Sequence, residues 1–232
     1  MDEGLRTTQN QFGGYAVPSV EQRNRVLRNT YWLLALSMVP TVLGAWLGVA
    51  TGIVAAMGVG MSFIVFMVGA FGFIYAIEKT KNSAAGVPVL LGFTFFMGLM
   101  LSRLLAFVLG MNGGSALIMT AFGGTAVAFL AMATLSTMIK RDLSTMGKFL
   151  SIGAVMLLVA IVVNLFVQSS ALFVTIAVLM VGIFSAFIVY DLKRVRDGEE
   201  TNYISATLAI YLDLYNVFQA LLSLLGFAGS RD

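Results

Sequence analysis

Seven apolar runs of about 20 residues, separated by short connectors, limit what this chain can become more than any other feature. Inside hydrocarbon every backbone N–H and C=O must be satisfied internally, and a run of that length does so as a helix that spans the bilayer. The runs are approximately Tyr31 to Val49, Ile53 to Ile77, Val87 to Gly110, Ala116 to Ile139, Phe149 to Val167, Leu172 to Tyr190 and Ile204 to Phe227. No connector could build a separate soluble core. The expectation is an all-α membrane protein, a seven-transmembrane helix bundle spanning residues 31–228.

Composition agrees. Hydrophobic residues make up 59% of the 232 and charged residues 11%, against about a quarter charged in ordinary globular proteins. Mean hydropathy is +0.94. With neither Cys nor His, the chain has no thiolate metal site, disulfide, cysteine nucleophile or histidine base. No nucleophile–base pair appears at usable spacing, and the chain is read as not an enzyme.

Charge placement tests the span count, because connectors on one side of a membrane are enriched in Lys and Arg. Arg6, Arg23, Arg25 and Arg28 precede the first run, and Lys79 and Lys81 follow the second. Lys140, Arg141 and Lys148 follow the fourth, and Lys193, Arg194 and Arg196 follow the sixth. Of the 14 basic residues only Arg103 and Arg231 lie elsewhere. The intervening connectors, "ATG", "MNGGS" and "QSS", carry none. This alternation predicts a cytoplasmic N-terminus and a periplasmic C-terminus. It also accounts for the pI near 9.3 without nucleic acid, since the basic residues form no aromatic-interleaved stripe.

Residues 1–18 are polar with Gly and Pro and are expected to be a flexible cytoplasmic tail. Ser19 and Gln22 have capping-box spacing, so a basic juxtamembrane helix is expected over 19–30. The first apolar run begins only at Tyr31 and six more follow, which reads as a span rather than a cleaved signal. Residues 229–232 form a short C-terminal tail. Gly44, Gly48 and Gly52, and the Gly123–Gly124 pair, are read as close-packing positions between helices.

Three ionisable residues lie within or at the edge of the runs: Arg103, Asp191 and Asp213. A charge at the bilayer centre costs roughly 2.5 to 3.5 kcal/mol even on the mild insertion scale, so each needs a partner, water or a proton. Asp213 stands about ten residues into its run, roughly 15 Å deep at 1.5 Å per residue. Asn216 and Ala220 share its helical face, a polar and small surface suited to the bundle interior. Asp191 taken alone reads as a solvated residue at a helix end beside Lys193 and Arg194. If the two aspartates meet, like charge and low dielectric oppose double ionisation, and the pair would share a proton. Such a pair is a candidate pH sensor, part of an ion pathway, and a ligand for a hard cation such as calcium. Arg103, Asn164 and Asn216 are candidate supporting polar groups; Arg103 could pair with Asp213 or snorkel outward. An intramembrane aspartyl protease is disfavoured, because Asp213 sits in "YLDLY" with no Gly before it.

The strings "FGGTAVAF" (122–129), "KRDLS" (140–144), "VYDLKRV" (189–195) and "YLDLYNVFQALLSLLGF" (211–227) resemble the Bax-inhibitor family of seven-span membrane proteins. "VLRNTYWLLALS" (26–37) and "GEETNYISATLAIYLDLYNVF" (198–218) are most similar to its bacterial YccA-like branch. The resemblance implies a central seventh span surrounded by six others and no resident cofactor. In some bacterial members it implies a pH-sensitive calcium leak controlled by aspartates at the positions of Asp191 and Asp213. For the YccA-like branch it implies association with the FtsH protease and its HflK and HflC partners in the inner membrane. The Arg latch of leak-forming members has no match here, since "IEKTKN" offers Lys79 and Lys81 only.

Overall fold

The computed structural model describes residues 19–229 as helices α1 (Val20–Thr51), α2 (Ile53–Ala56), α3 (Gly58–Thr80), α4 (Gly86–Leu109), α5 (Gly114–Met138), α6 (Ser144–Val167), α7 (Ser170–Asp197) and α8 (Tyr203–Gly229). All but α2 are long and apolar enough to cross a bilayer. The tail expected at 1–18 lies outside the described residues, as do residues 230–232.

Helix α1 starts on a capping box: the Ser19 hydroxyl accepts from the Gln22 N–H at 3.2 Å, and the Gln22 side chain accepts from the Ser19 N–H at 3.0 Å. No break separates the basic segment from the first span, so one helix runs from Val20 through Pro40 to Thr51. Gly52, at φ 65°, ends it in the left-handed conformation that a Cβ disfavours. A second left-handed residue, Gly58 at φ 71°, then breaks the run beginning at Ile53. The second span therefore starts at Gly58, not Ile53, and the single turn of α2 precedes it. The Ser62 hydroxyl ties the two pieces, donating to the carbonyls of Val54 (3.0 Å) and Gly58 (2.6 Å).

Helix α8 takes the central place, packed against α1, α3, α4, α5 and α7, while α6 joins the bundle through α7. Its buried face carries Ile204, Ile210, Tyr211, Asp213, Val217, Ala220 and Leu222. Tyr211 meets Phe93 of α4 edge-on with ring centroids 6.2 Å apart, and its hydroxyl lies 2.8 Å from the Thr41 hydroxyl of α1. Tyr215 donates to the Met97 carbonyl at 3.2 Å. Each buried phenol thus finds an oxygen on a neighbouring helix, as the low dielectric requires.

The α1–α4 contact brings two spans backbone to backbone. A Cβ on Gly98 would overlap the Thr41 carbonyl, and one on Gly44 the Phe95 carbonyl, so backbone lies against backbone. Gly48 faces Ser102 in the same seam, but Gly52, the third of the four-apart glycines, has no neighbour within 4 Å and acts as the helix cap. Gly123 likewise faces open space, while Gly124 meets Leu221 of α8. Large exposed side chains such as Trp46, Phe149 and Phe166 form the outer surface, where hydrocarbon rather than water is the solvent.

Candidate functional site: a buried aspartate pair

Helix α7 does not stop at Tyr190, where the apolar run ends. It continues to Asp197, with Arg194 and Arg196 in the last turn complementing the helix dipole. Gly198, at φ 85°, closes it, its N–H directed at the Arg194 and Val195 carbonyls. The chain then reaches Asn202, whose Oδ1 accepts from the N–H groups of Ile204 (2.9 Å) and Ser205 (3.1 Å) and so caps α8. The Asn202 amide also donates to the Lys81 carbonyl (3.1 Å) and Asn82 Oδ1 (2.8 Å), tying this turn to the α3–α4 connector. A short, doubly anchored turn makes α7 and α8 antiparallel neighbours.

That neighbourhood brings Asp191 and Asp213 together. Their side chains lie close enough for direct charge and hydrogen-bonding interaction, and both residues are buried, at 8% and 5% exposure. Asp191 is not the solvated helix end that its sequence position suggested, because almost two turns of α7 follow it and carry it under the α7–α8 turn. Asp213 Oδ2 is closed to solvent and receives no donor hydrogen bond from the described residues. The polar group beside it is the Asp191 carboxyl. Two carboxyls can bond to each other only when one holds a proton, so the arrangement offers a place for one proton between two acids.

Among the described residues, one cation forms an ion pair with the aspartates. Arg194 Nη1 lies 3.6 Å from Asp191 Oδ1, one helical turn away, while its Nε lies 3.8 Å from Glu199 Oε2. The same guanidinium sits over the Tyr190 ring, 5.6 Å from its centroid, and remains partly exposed. Arg194 therefore stands between the buried acids and the outside, held by two carboxylates and a ring. Lys193 is buried and paired with Asp197. The i, i+3 spacing of Asp191 and Arg194 is visible in the sequence, but setting Lys193 and Arg194 beside a solvated Asp191 left both ion pairs unread.

The supporting residues expected from the sequence are placed elsewhere. Arg103 donates to the Ser62 hydroxyl at 3.4 Å and forms no ion pair with Asp213. Asn164 Oδ1 accepts from the Ser169 N–H at 3.0 Å in the α6–α7 turn, and Asn216 donates back to the Leu212 carbonyl at 2.8 Å. None of the three bonds to either carboxyl among the described residues. As a calcium site the pair is also incomplete: calcium takes six to eight oxygens, and the described residues hold no group of three or more acidic side chains able to bind a metal.

Comparison with known proteins agrees with the architecture. The family described as "Inhibitor of apoptosis-promoting Bax1" matches residues 23–230. A membrane protein of Vibrio cholerae, uncharacterised, is 36% identical over 215 residues, covering 91% of this chain and 93% of the relative. "Modulator of FtsH protease YccA" of Escherichia coli K12 is 36% identical over 214 residues, covering 92% and 94%. The seven spans, the buried acids of α7 and α8 and these matches along nearly the whole chain make the protein a member of the Bax-inhibitor family.

Proposed function

We propose that the protein modulates an FtsH-type membrane protease without catalysing a reaction itself. The observation that carries this reading is the Escherichia coli relative named for that role, aligned over more than nine-tenths of both chains. A second Escherichia coli relative is named as an inner membrane protein, which supports the same location here. The basic connectors support a cytoplasmic N-terminus. Participation of HflK and HflC rests on family resemblance.

Physical features support the reading. An ATP-driven protease must pull its target out of the bilayer, and the α1–α4 seam, where glycines bring backbones into contact, resists separation. A bundle of this kind would occupy the protease without being readily extracted. Co-purification of the tagged protein with FtsH from membranes tests the proposal. Recovery of FtsH with wild type and with Asp213→Asn is expected, as is slower turnover of the protein after removal of residues 1–18. Failure of wild type to recover FtsH would overturn it.

A second reading, a proton-regulated calcium leak, is favoured by the Asp191–Asp213 pair beneath Arg194. Gain or loss of one shared proton would change the charge that a passing cation meets. In liposomes, calcium flux through the purified protein should depend on pH, and Asp213→Asn should abolish that dependence. A pH response unchanged by the substitution would reject this reading.

A further inference from the structure

The basic end of the bundle contains a second constellation, away from the aspartate pair. The first turns of α1 carry Arg23, Arg25 and Arg28, and the last turn of α7, which packs against α1, carries Arg196. Between α1 and the α7–α8 turn lies a recess of about 280 Å³ lined by Arg23, Arg25, Val26, Gly198, Glu200 and Thr201. Farther along α1, Asn24, Leu27, Arg28, Tyr31 and Trp32 line a more open groove of about 430 Å³. Arg196 stands two residues before Gly198, which lines the recess.

Among the described residues, two guanidinium atoms here lack partners. Arg23 Nε and Arg196 Nη1 are both closed to solvent and neither finds an acceptor. Arg196 meets Asp197 only through its Nε, at 3.7 Å. Among the described residues no acid forms an ion pair with Arg23, Arg25 or Arg28. Glu200, the one acid lining the recess, already accepts from the Asn202 N–H at 2.8 Å. A buried N–H without an acceptor is costly, and several guanidiniums together are best met by a multiply charged oxyanion such as phosphate.

The groove adds a second requirement. Leu27, Tyr31 and Trp32 are apolar or amphipathic, Trp32 is 73% exposed, and aromatic residues of this kind settle at headgroup level. A ligand that satisfies both halves has phosphate at one end and hydrocarbon at the other. Basic pockets between helices at a membrane surface bind lipid headgroups. We propose that this corner binds an anionic phospholipid, its headgroup phosphate at Arg23, Arg25 and Arg196 and its acyl chains running past Tyr31 and Trp32.

The test is native mass spectrometry of the full chain in neutral detergent with added phosphatidylglycerol or phosphatidylcholine. Selective retention of phosphatidylglycerol is expected. Arg25→Gln, on an exposed residue of the recess, should weaken it roughly fivefold, and Arg23→Gln with Arg196→Gln by the product of two such factors. Lys140→Gln with Arg141→Gln removes two charges from another connector and should leave it unchanged. Equal retention of the two lipids, or equal weakening by the Lys140/Arg141 variant, would overturn the proposal. So would displacement of the lipid by millimolar inorganic phosphate, which would mark a soluble-anion site, or stronger retention after removal of residues 1–18, which would mark a site for the acidic Asp2–Glu3 segment.

Discussion

Asp213 of α8 faces Asp191 of α7 with one carboxylate oxygen closed to solvent and to donors among the described residues, while Arg194 pairs with Asp191. The pair is therefore asymmetric: one acid is shared with an ion-pair network, and the other depends on its neighbour. An Asn at 213 would remove the like charge and present an amide donor to Asp191. Asp213→Asn should raise thermal stability by about 1 to 2 kcal/mol, because the amide donates to Asp191 where wild type sets two acceptors against each other. The advantage should widen as pH rises, since only wild type can place two charges side by side. Thermal unfolding in detergent across a pH series checks this; a destabilised variant at every pH would show that Asp213 is satisfied in some other way.

The α1–α4 seam predicts a sharp contrast between glycines. Gly98→Ala places a methyl group against the Thr41 carbonyl and must push two helices apart, at a cost of about 1 to 3 kcal/mol. Gly123→Ala meets nothing within 4 Å and lies inside α5, where Ala is the better helix former by about 1 kcal/mol. Unfolding of the two variants in bicelles should therefore move in opposite directions. Equal behaviour would mean that the seam is looser than its geometry implies.

Asn202 performs two separable tasks. Asn202→Ala should cost about 1 to 2 kcal/mol by removing the α8 cap along with the bonds to Lys81 and Asn82. Asn202→Asp keeps the cap oxygen and loses the amide donor. Amide hydrogen exchange at Ile204 and Ser205 should accelerate in the Ala variant alone, whereas exchange in the α3–α4 connector should accelerate in both.

The connector before α6 supplies a pH prediction. The N–H of Ser144 donates to Asp142 at 2.8 Å and its hydroxyl at 3.0 Å, and the backbone bond first, then the hydroxyl bond, hold the Asp142 carboxyl below its usual range. A depressed folded-state value means that the contribution is present above the ordinary carboxylate range and is lost as pH falls through the folded value. Protection of the first amides of α6 should therefore drop on acidification in wild type and be low and pH-independent in Asp142→Ala.

Membrane chains reveal their spans because the hydrocarbon thickness sets helix length and forbids unsatisfied backbone, so all seven crossings were legible from apolar runs alone. Ser19 with Gln22 was equally legible, since a capping box is a local exchange of two hydrogen bonds. The break at Gly52–Gly58 was hidden, because apolar side chains continue through it and only the two positive φ angles interrupt the helix. Asp191 was misread for the opposite reason: α7 carries charged residues beyond its apolar run, and polarity resembled an ending. Asn164 and Arg103 looked like partners for Asp213 because sequence records depth but not azimuth. Hydrophobicity along the chain thus determined how many long apolar helices there are. Which faces meet was decided by packing: the Asn202 turn that sets α7 against α8, and the glycines that admit α4 to α1, bring Asp191 to Asp213 through contacts between residues distant in sequence.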